Sequence, residues 1–225
     1  YKYVTTGDKG ETIALATYGE IFSITRQAII NDDLNALTDV PAKMGRAAKA
    51  TIGDLVYAIL LDNPKLSDGK PLFHADHKNL SSGAISVSSI DDARKLMRLQ
   101  KEGERTLNIR PAYMLVPVGL ETLANQTIKS ASVKGADINS GINNPIQNFA
   151  EVISEPRLDH KDPNAWYLAA AKGTDTIEVA YLNGVDTPYI DQQEGFNTDG
   201  IATKVRIDAG VAPLDFRGLT KSTGK

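Results

Sequence analysis

One long stretch of helical periodicity, between Leu34 and Ile59, restricts how the rest of this sequence can pack. Its apolar residues recur at steps of three, four or seven, which aligns them on one helix face: Leu34, Leu37, Met44, Ala48, Ile52, Leu55 and Ile59. Because Pro41 cannot lie in a helix interior, we expect a short helix before it and a main helix from about Asp39–Pro41 to Asp62. Such a helix is about 33 Å long. Its first half is rich in alanine and glycine, so we expect close packing against a sheet.

The residues before this helix are rich in β-forming side chains. Tyr1–Thr6 and Thr12–Thr17 flank the turn residues Gly7–Glu11, which predicts a β-hairpin. Tyr18-Gly19-Glu20 indicates a break, and Ile21–Ile30 is compatible with a further strand. A two-stranded hairpin is not stable alone in water, so this one needs another surface to lie on.

The rest of the chain predicts a mixture of loops, helices and short strands. Residues 63–83 and 130–148 are polar and contain many turn formers, which indicates loops. Two helices are expected, one capped at Ser88-Ser89 and ending near Gly103, the other opened by Pro117 and extending through Ile128. Short strands are expected at Tyr113–Val116, Glu151–Glu155, Trp166–Ala170, Thr176–Leu182, Tyr189–Gln192 and Lys204–Ala209. Helices first and strands last indicate an α+β fold.

Composition argues against several classes of function. The 225 residues include no cysteine, which removes disulfides, thiolate nucleophiles and sulfur ligands for metals. No apolar run approaches the roughly 18 residues that a membrane span needs. The net charge is -3 and no run of Lys and Arg exceeds two residues, so dedicated binding to nucleic-acid phosphates is not expected. Phosphate-binding loops and nucleophile elbows are missing, so no cofactor is expected.

One cluster, Phe73–His77, contains residue types that bind metals. His74, Asp76 and His77 could supply three ligands to zinc or iron. The two histidines are three residues apart and lie in a predicted loop, whereas helical zinc sites place them four apart. We therefore favour the interpretation that both histidines hydrogen-bond to the loop backbone. Trp166-Tyr167-Leu168 could likewise stack on bases, but its place in a predicted strand favours core packing.

Short motifs along the whole chain resemble those of one protein family. They lie at Tyr18–Leu34, Gly45–Ala48, Gly53–Tyr57, Leu66–Leu80, Asn108–Pro111, Leu115–Pro117, Glu155–Leu158, Trp166–Leu168 and Asp215–Leu219. Together they resemble tailed-phage major capsid proteins. Within that family the motifs resemble Mu-like major head subunits and the capsid part of prohead protease–capsid fusion proteins.

This resemblance implies the Hong Kong phage capsid fold, with an extended N-terminal loop, a long spine helix, and peripheral and axial domains. It implies four parts: an extended hairpin loop and following strand in residues 1–30, a peripheral domain with the spine helix in 31–112, a mainly axial domain in 113–190, and a return to the peripheral domain in 191–225. Axial loops of this fold meet at the centres of hexamers and pentamers, and residues 130–148 would contribute to them.

The implied function is structural: a head subunit that assembles into an icosahedral shell around phage or prophage double-stranded DNA, without catalysis, cofactor or metal. The implied partners are copies of itself in hexamers and pentamers, a scaffold and prohead protease during maturation, a portal, and packaged DNA contacted non-specifically. No membrane is involved. The implied location is the virion capsid, assembled in the cytoplasm of a bacterial host. Because this chain begins in a strand, without the protease and scaffold segment of fusion-type relatives, we expect a matured or trimmed product.

We expect the hairpin to contact a neighbouring subunit through Tyr3, Val4, Ile13 and Leu15, because a hairpin of this kind needs another surface. Two alternatives remain open. One is an encapsulin-like compartment, which would enclose protein within a shell of the same fold. The other is a metal-dependent hydrolase or lyase that uses His74, Asp76 and His77.

Overall fold

The computed structural model describes residues 10–31, 39–134, 141–195 and 199–225. Its α-helices are α1 (Arg26–Ile30), α2 (Val40–Asp62), α3 (Val87–Arg98) and α4 (Glu121–Lys129). Its strands are β1 (Ala16–Thr25), β2 (Leu80–Ser81), β3 (Lys101–Glu102), β4 (Arg105–Thr106), β5 (Pro111–Val116), β6 (Ser132–Lys134), β7 (Gly141–Asn143), β8 (Glu151–Ser154), β9 (Trp166–Ala170), β10 (Ile177–Tyr181), β11 (Tyr189–Glu194), β12 (Gly200–Pro213) and β13 (Leu219–Ser222). This mixture of helix and sheet confirms the α+β prediction.

The chain packs into two compact units. The small unit contains residues 12–58 and 179–212. The large unit contains the described residues up to Glu11 together with residues 59–178 and 213–225. The predicted boundaries between peripheral and axial domains, at residues 30, 112 and 190, come from the family resemblance and not from contacts within the chain. They remain a prediction.

Helix α2 confirms the long helix that the periodicity predicts. It begins at Val40, so Pro41 lies in the first turn, where its missing N–H costs no helical hydrogen bond. It ends at Asp62, and Asn63 follows in the left-handed conformation that often terminates helices (φ 51°). The predicted short helix before Pro41 falls largely in residues 32–38, outside the described residues.

The small unit is built on an antiparallel sheet whose central strand is β12. Strand β1 pairs with one edge of β12 without a bulge, from Ala16 opposite Ala209 to Thr25 opposite Gly200. Strands β11 and β10 pair with β12 as well. Ala48 and Ile52 of α2 pack in one buried cluster with Val205, Ile207 and Ala209 of β12. The face of α2 that the sequence predicts to be apolar is therefore the face that packs on this sheet.

The structure corrects the start of the chain in two respects. The predicted break at Tyr18-Gly19-Glu20 is wrong, because these residues lie inside β1. A Cβ at Gly19 would come within 2.5 Å of the Val205 carbonyl oxygen, so this glycine permits close strand approach and does not mark a turn. The predicted strand Thr12–Thr17 begins only at Ala16, and its partner in the described residues is β12. The other predicted hairpin strand, Tyr1–Thr6, lies outside the described residues.

The large unit contains a five-stranded mixed sheet in the order β2-β13-β9-β5-β8. Trp166 and Leu168 of β9 alternate with Tyr167, so they enter one core while Tyr167 faces the other side of the sheet. Helix α3 contributes Ile90, Ala93 and Met97 to the first of these cores, and α4 contributes Ala124 and Ile128. Both Trp166 and Tyr167 are buried, which confirms the prediction that they pack in the interior.

Several predicted boundaries shift by a few residues. The N-cap of α3 is Ser86, whose side chain accepts from the Ser89 N–H while the Ser89 side chain accepts from the Ser86 N–H. The helix ends at Arg98, and Gly103 (φ 60°) lies in the turn between β3 and β4. Residues 130–148 are not loop throughout, because β6 and β7 pair there as a short antiparallel ribbon. Three-residue polar strands carry too little alternation to be recognised in a sequence.

Candidate assembly surface

The four residues predicted to contact a neighbouring subunit lie ahead of β1. Tyr3 and Val4 fall outside the described residues. Ile13 is half-buried and lies with Ala14 beside Gly210, so the chain already follows β12 before β1 begins. Leu15 is 46% exposed. Their contact with another subunit remains a prediction.

Most of the large apolar side chains that are exposed in the described part of the chain belong to the small unit. They are Leu15, Ile21, Phe22, Ile29, Ile30, Leu182, Val185, Tyr189 and Ile190. A concentration of exposed apolar side chains is typical of surfaces that bind another protein. We call these exposed apolar side chains of the small unit the candidate assembly surface.

The two faces of the small unit's sheet differ in character. Tyr18 of β1 joins Val205 and Ile207 of β12 on the face that packs against α2. On the opposite face, Ile21 stands beside Lys204, which in turn pairs with Asp191 of β11. Besides its polar residues, that outer face carries Ile21 and Tyr189, whose side chains are 69% and 49% exposed.

Polar contacts order this outer face. The Arg206 guanidinium lies 4.8 Å from the centre of the Tyr189 ring, a cation–π contact between β12 and β11. The Thr17 hydroxyl donates a hydrogen bond to the Asp208 carboxylate, which joins β1 to β12. These pairs hold the strands in register on the solvent side, so Ile21 is presented on a defined surface.

A groove of about 580 Å³ lies between β1 and α2 within the small unit. Four consecutive β1 residues, Thr17–Glu20, form one wall, and Val205 lies at its base. The other wall is a face of α2 made of Lys43, Met44, Ala47, Ala48 and Thr51. Small side chains on α2 leave this space open, which is a consequence of the alanine-rich sequence that first indicated close packing.

His77 has a structural role in the large unit. Its ring is buried, with Nε2 2.8 Å from Asp68 Oδ2 and Nδ1 3.1 Å from the Leu72 carbonyl oxygen. Each ring nitrogen therefore faces a protein oxygen and not an open position where a metal ion could bind. The hydrogen bond from His77 holds the pKa of Asp68 below its usual value, and the Lys70 N–H adds to this effect.

His74 and Asp76 also serve the loop itself. The Asp76 N–H donates to His74 Nδ1, and the Asp76 carboxylate accepts from Lys70 Nζ at 2.6 Å. The Lys70 hydrogen bond lowers the pKa of Asp76. No group of three potential ligands in the described residues is placed to hold a metal ion. The interpretation that both histidines hydrogen-bond to the loop backbone is confirmed.

The sequence reasoning missed the main surface feature. Ile21 and Phe22 are adjacent in β1, and their side chains point to opposite faces of the sheet. Two apolar residues in succession on a strand that packs against one helix cannot both be buried by that helix. The adjacent apolar residues Ile21 and Phe22 could therefore have indicated, from the sequence alone, that β1 has a second packing partner. No helix in the described ranges has the length and apolar character to span a membrane.

Comparison with known proteins adds a family and a fold. The profile of a family described as phage capsid protein matches residues 10–222. No curated protein sequence matches the chain. The capsid structure of cyanophage P-SCSP1u is similar with a TM-score of 0.62 at 10% identity, over 98% of this chain and 77% of that one.

Two further solved structures show the same fold. One, from Mycobacterium phage Bobi, has a TM-score of 0.61 at 11% identity, over 94% of this chain and 72% of that one. The other is the holo-SrpI encapsulin complex from Synechococcus elongatus PCC 7942, with a TM-score of 0.54 at 14% identity, over 92% of this chain and 73% of that one. The fold that the sequence motifs implied is confirmed.

Proposed function

The chain belongs to the phage capsid protein family and is a structural capsid protein, and on this premise we propose that it is the major head subunit of a tailed phage or prophage. It assembles through hexamers and pentamers into an icosahedral shell around double-stranded DNA. Its role is structural and not catalytic. The observation that carries the proposal, beyond the family, is the concentration of exposed apolar side chains on the small unit.

Assembly of this kind relies on many moderate interfaces. Each contact between two subunits contributes little alone, but a closed lattice engages every subunit on several sides at once. Exposed side chains such as Leu15, Ile21 and Phe22 suit this regime, because they are apolar enough to favour association and few enough for the free subunit to remain in solution. The hairpin residues Tyr3, Val4, Ile13 and Leu15 belong to the same set of contacts.

The net charge of -3 suits a container for DNA. A strongly positive inner wall would hold a polyanion that has to be packaged and later released. DNA is therefore contacted non-specifically. The other partners are a scaffold and prohead protease during maturation and a portal, and assembly takes place in the host cytoplasm before the subunit becomes part of the virion.

An encapsulin-like compartment is the second candidate, and the similarity to the SrpI encapsulin complex supports it. The two functions differ in what the shell encloses. Genes for portal, terminase and protease beside the gene for this chain would support the phage head. A neighbouring gene for a cargo enzyme, without genes for portal, terminase and protease, would support the compartment.

Electron microscopy of the purified chain at high concentration tests the proposal. Shells, capsomer rings or flat sheets are expected. Monodisperse monomer at every protein and salt concentration would contradict it. Shells recovered from cells would then be treated with nuclease, and protected double-stranded DNA would favour the head over the compartment.

A further inference from the structure

The small unit carries an exposed turn at Asn183-Gly184, between β10 and β11. Both residues have left-handed backbone conformations, with φ 54° at Asn183 and φ 73° at Gly184. The Val185 N–H closes the turn by donating to the Leu182 carbonyl oxygen at 3.1 Å. Asparagine and glycine adopt left-handed conformations more readily than other residues, which explains their place here. The same two residues also form a chemically reactive pair.

Asn183-Gly184 is the only Asn-Gly dipeptide in the sequence. The side-chain amide of an asparagine can be attacked by the backbone nitrogen of the next residue, and the Cβ of that next residue obstructs the attack. Glycine has no Cβ, so its nitrogen approaches most easily. Every other asparagine in the sequence precedes a residue that has a Cβ. Asn183 is therefore the asparagine whose covalent environment most favours this reaction.

The surroundings of Asn183 leave its side chain free to react. All residues from Leu182 to Thr187 are exposed. The Asn183 side chain makes no hydrogen bond with any residue that the structure describes. Opening the turn breaks one exposed backbone hydrogen bond and displaces no buried side chain, so a local fluctuation can bring the Gly184 nitrogen to the Asn183 Cγ.

Asp68-Gly69 shows the opposite arrangement in the large unit. An aspartate before glycine can undergo the same ring closure. The Asp68 carboxylate, however, lies 2.8 Å from His77 Nε2 and accepts from the Lys70 N–H at 2.9 Å. These contacts hold the carboxylate in place, whereas nothing described holds the Asn183 amide.

We propose that Asn183 is a site of spontaneous deamidation. The Gly184 backbone nitrogen forms a bond to the Asn183 Cγ, the Cγ–Nδ2 bond breaks, and the side-chain nitrogen leaves as ammonia with the amide proton of Gly184. Water then opens the cyclic succinimide at either carbonyl carbon, which gives aspartate or isoaspartate at position 183. The reaction needs water and no enzyme, and either product carries a negative charge that Asn183 lacks.

The new charge lies on the candidate assembly surface. Asn183 is flanked by Leu182 and Val185, which are 46% and 55% exposed and belong to that surface. A carboxylate beside these side chains loses hydration when another protein covers them, which disfavours association. Deamidation of free subunits therefore weakens their assembly. This consequence rests on the proposed function, whereas the deamidation itself does not.

Peptide mass spectrometry of the dissociated subunit tests the modification. Asn148 is the matched control, because it is also exposed and left-handed (φ 52°) but precedes Phe149. During storage in mildly alkaline buffer, aspartate and isoaspartate should form about tenfold faster at position 183 than at position 148, since only Gly184 lacks a Cβ. Equal rates at the two positions would overturn the inference.

Sedimentation velocity tests the effect of the charge. Asn183→Asp should raise the protein concentration needed for association about fivefold, whereas Asn148→Asp adds the same charge to the large unit and should match the wild type. Stored wild-type protein should lose association as Asn183 deamidates, and stored Asn183→Gly should not, because glycine keeps the left-handed turn without the amide.

The two experiments separate the inference from the proposed function. Association of Asn183→Asp at wild-type concentrations would overturn the placement of the charge on the candidate assembly surface. A wild-type chain that never associates would contradict the proposed function and leave the deamidation of Asn183 standing.

Discussion

The imidazole of His77 lies face to face with the ring of Phe216, with ring centroids 3.9 Å apart and ring planes within 4° of parallel. His77 belongs to the long segment between α2 and α3, and Phe216 precedes β13, so the stack joins two distant parts of the large unit. Asn79 Nδ2 strengthens the junction by donating to the Phe216 carbonyl oxygen at 3.4 Å, and it also donates to the Leu72 carbonyl oxygen at 2.8 Å. The motif that resembles a metal site in the sequence therefore joins the segment between α2 and α3 to the residues that precede β13.

Removing the Phe216 ring, which stacks on His77, should destabilise the large unit. Phe216→Ala is expected to lower its free energy of unfolding by about 2 kcal/mol, because the ring is half-buried and stacked. Trp166, the single tryptophan, is buried in the large unit, so its fluorescence during urea unfolding reports this change. Phe22→Ala is the control, since Phe22 is exposed in the small unit, and it should leave the Trp166 transition unchanged.

Acid should remove the contribution of the Asp68–His77 pair to the free energy of unfolding. The pKa of Asp68 is lower in the folded protein than its usual 3.8, because the carboxylate accepts hydrogen bonds from His77 and the Lys70 N–H. This stabilisation is complete above pH 3.8 and is lost as pH falls through the folded-state pKa. Asp68→Asn should lower stability at pH 7 by about 1–3 kcal/mol. Its difference from the wild type should shrink below pH 3.8; an offset that stays constant with pH would contradict this.

A buried hydroxyl of β13 offers a stabilising substitution. Thr220 is buried, and its Oγ1 has no hydrogen-bond partner in the described part of the chain. Thr220→Val keeps the shape and removes an unsatisfied polar atom, so calorimetry should show stabilisation by about 1 kcal/mol. Thr203 is equally buried, but its Oγ1 accepts from Gln192 Nε2 at 3.2 Å. Thr203→Val should therefore destabilise, by about 0.5–1 kcal/mol.

Gly19 should resist even the smallest side chain. A Cβ there would lie 2.5 Å from the Val205 carbonyl oxygen and 3.1 Å from the Arg206 Cβ, so β1 and β12 would have to separate. We expect Gly19→Ala to lower the unfolding temperature of the small unit, at a cost of about 1–3 kcal/mol. Gly119 has open space around it. Calorimetry of Gly119→Ala should show no loss, which separates the steric effect from the general effect of replacing glycine.

Leu15 should affect association without affecting folding. It is exposed beside β1, so Leu15→Asp removes little intramolecular packing but places a charge on the candidate assembly surface. Sedimentation should show at least a fivefold rise in the concentration needed for association, with an unchanged unfolding temperature. Leu99→Asp changes an exposed leucine of the large unit and serves as control. Equal loss of association in both variants would show a general effect of charge.

The sequence-based predictions succeeded where a feature depends on residues close together in the chain, and failed where it depends on residues far apart. Helix α2 was predictable because its periodic apolar residues recur from Met44 to Ile59, over about four turns of helix. Strand β9 was predictable over its full length, Trp166–Ala170, because its β-forming residues stand between turn formers. Gly19 misled the prediction, since a glycine in a turn and a glycine between two close strands look alike in a sequence. Ser86 was missed as a helix cap because Ser88 and Ser89 offered the same chemistry nearby.

Only part of the candidate assembly surface could be predicted from the sequence. The exposure of Leu15 fits the predicted hairpin contact, yet the position of β1 in the sheet depends on which strand it pairs with. That strand is β12, whose Asp208 lies 191 residues beyond its partner Thr17. His77 shows the same limit, because its residue type is compatible with a metal ligand as well as with a loop contact, and only the positions of Asp68, Leu72 and Phe216 define its structural role.

The sequence alone determined the long helix, the α+β class and, through its scattered motifs, the family. These properties follow from side-chain spacing and residue type, which act over a few neighbouring residues and can be read directly. Tertiary structure alone decided the partner of β1 and the groove between β1 and α2. Those features arise when strands far apart in the chain pair, and the free energy of that pairing depends on the packing of the whole unit.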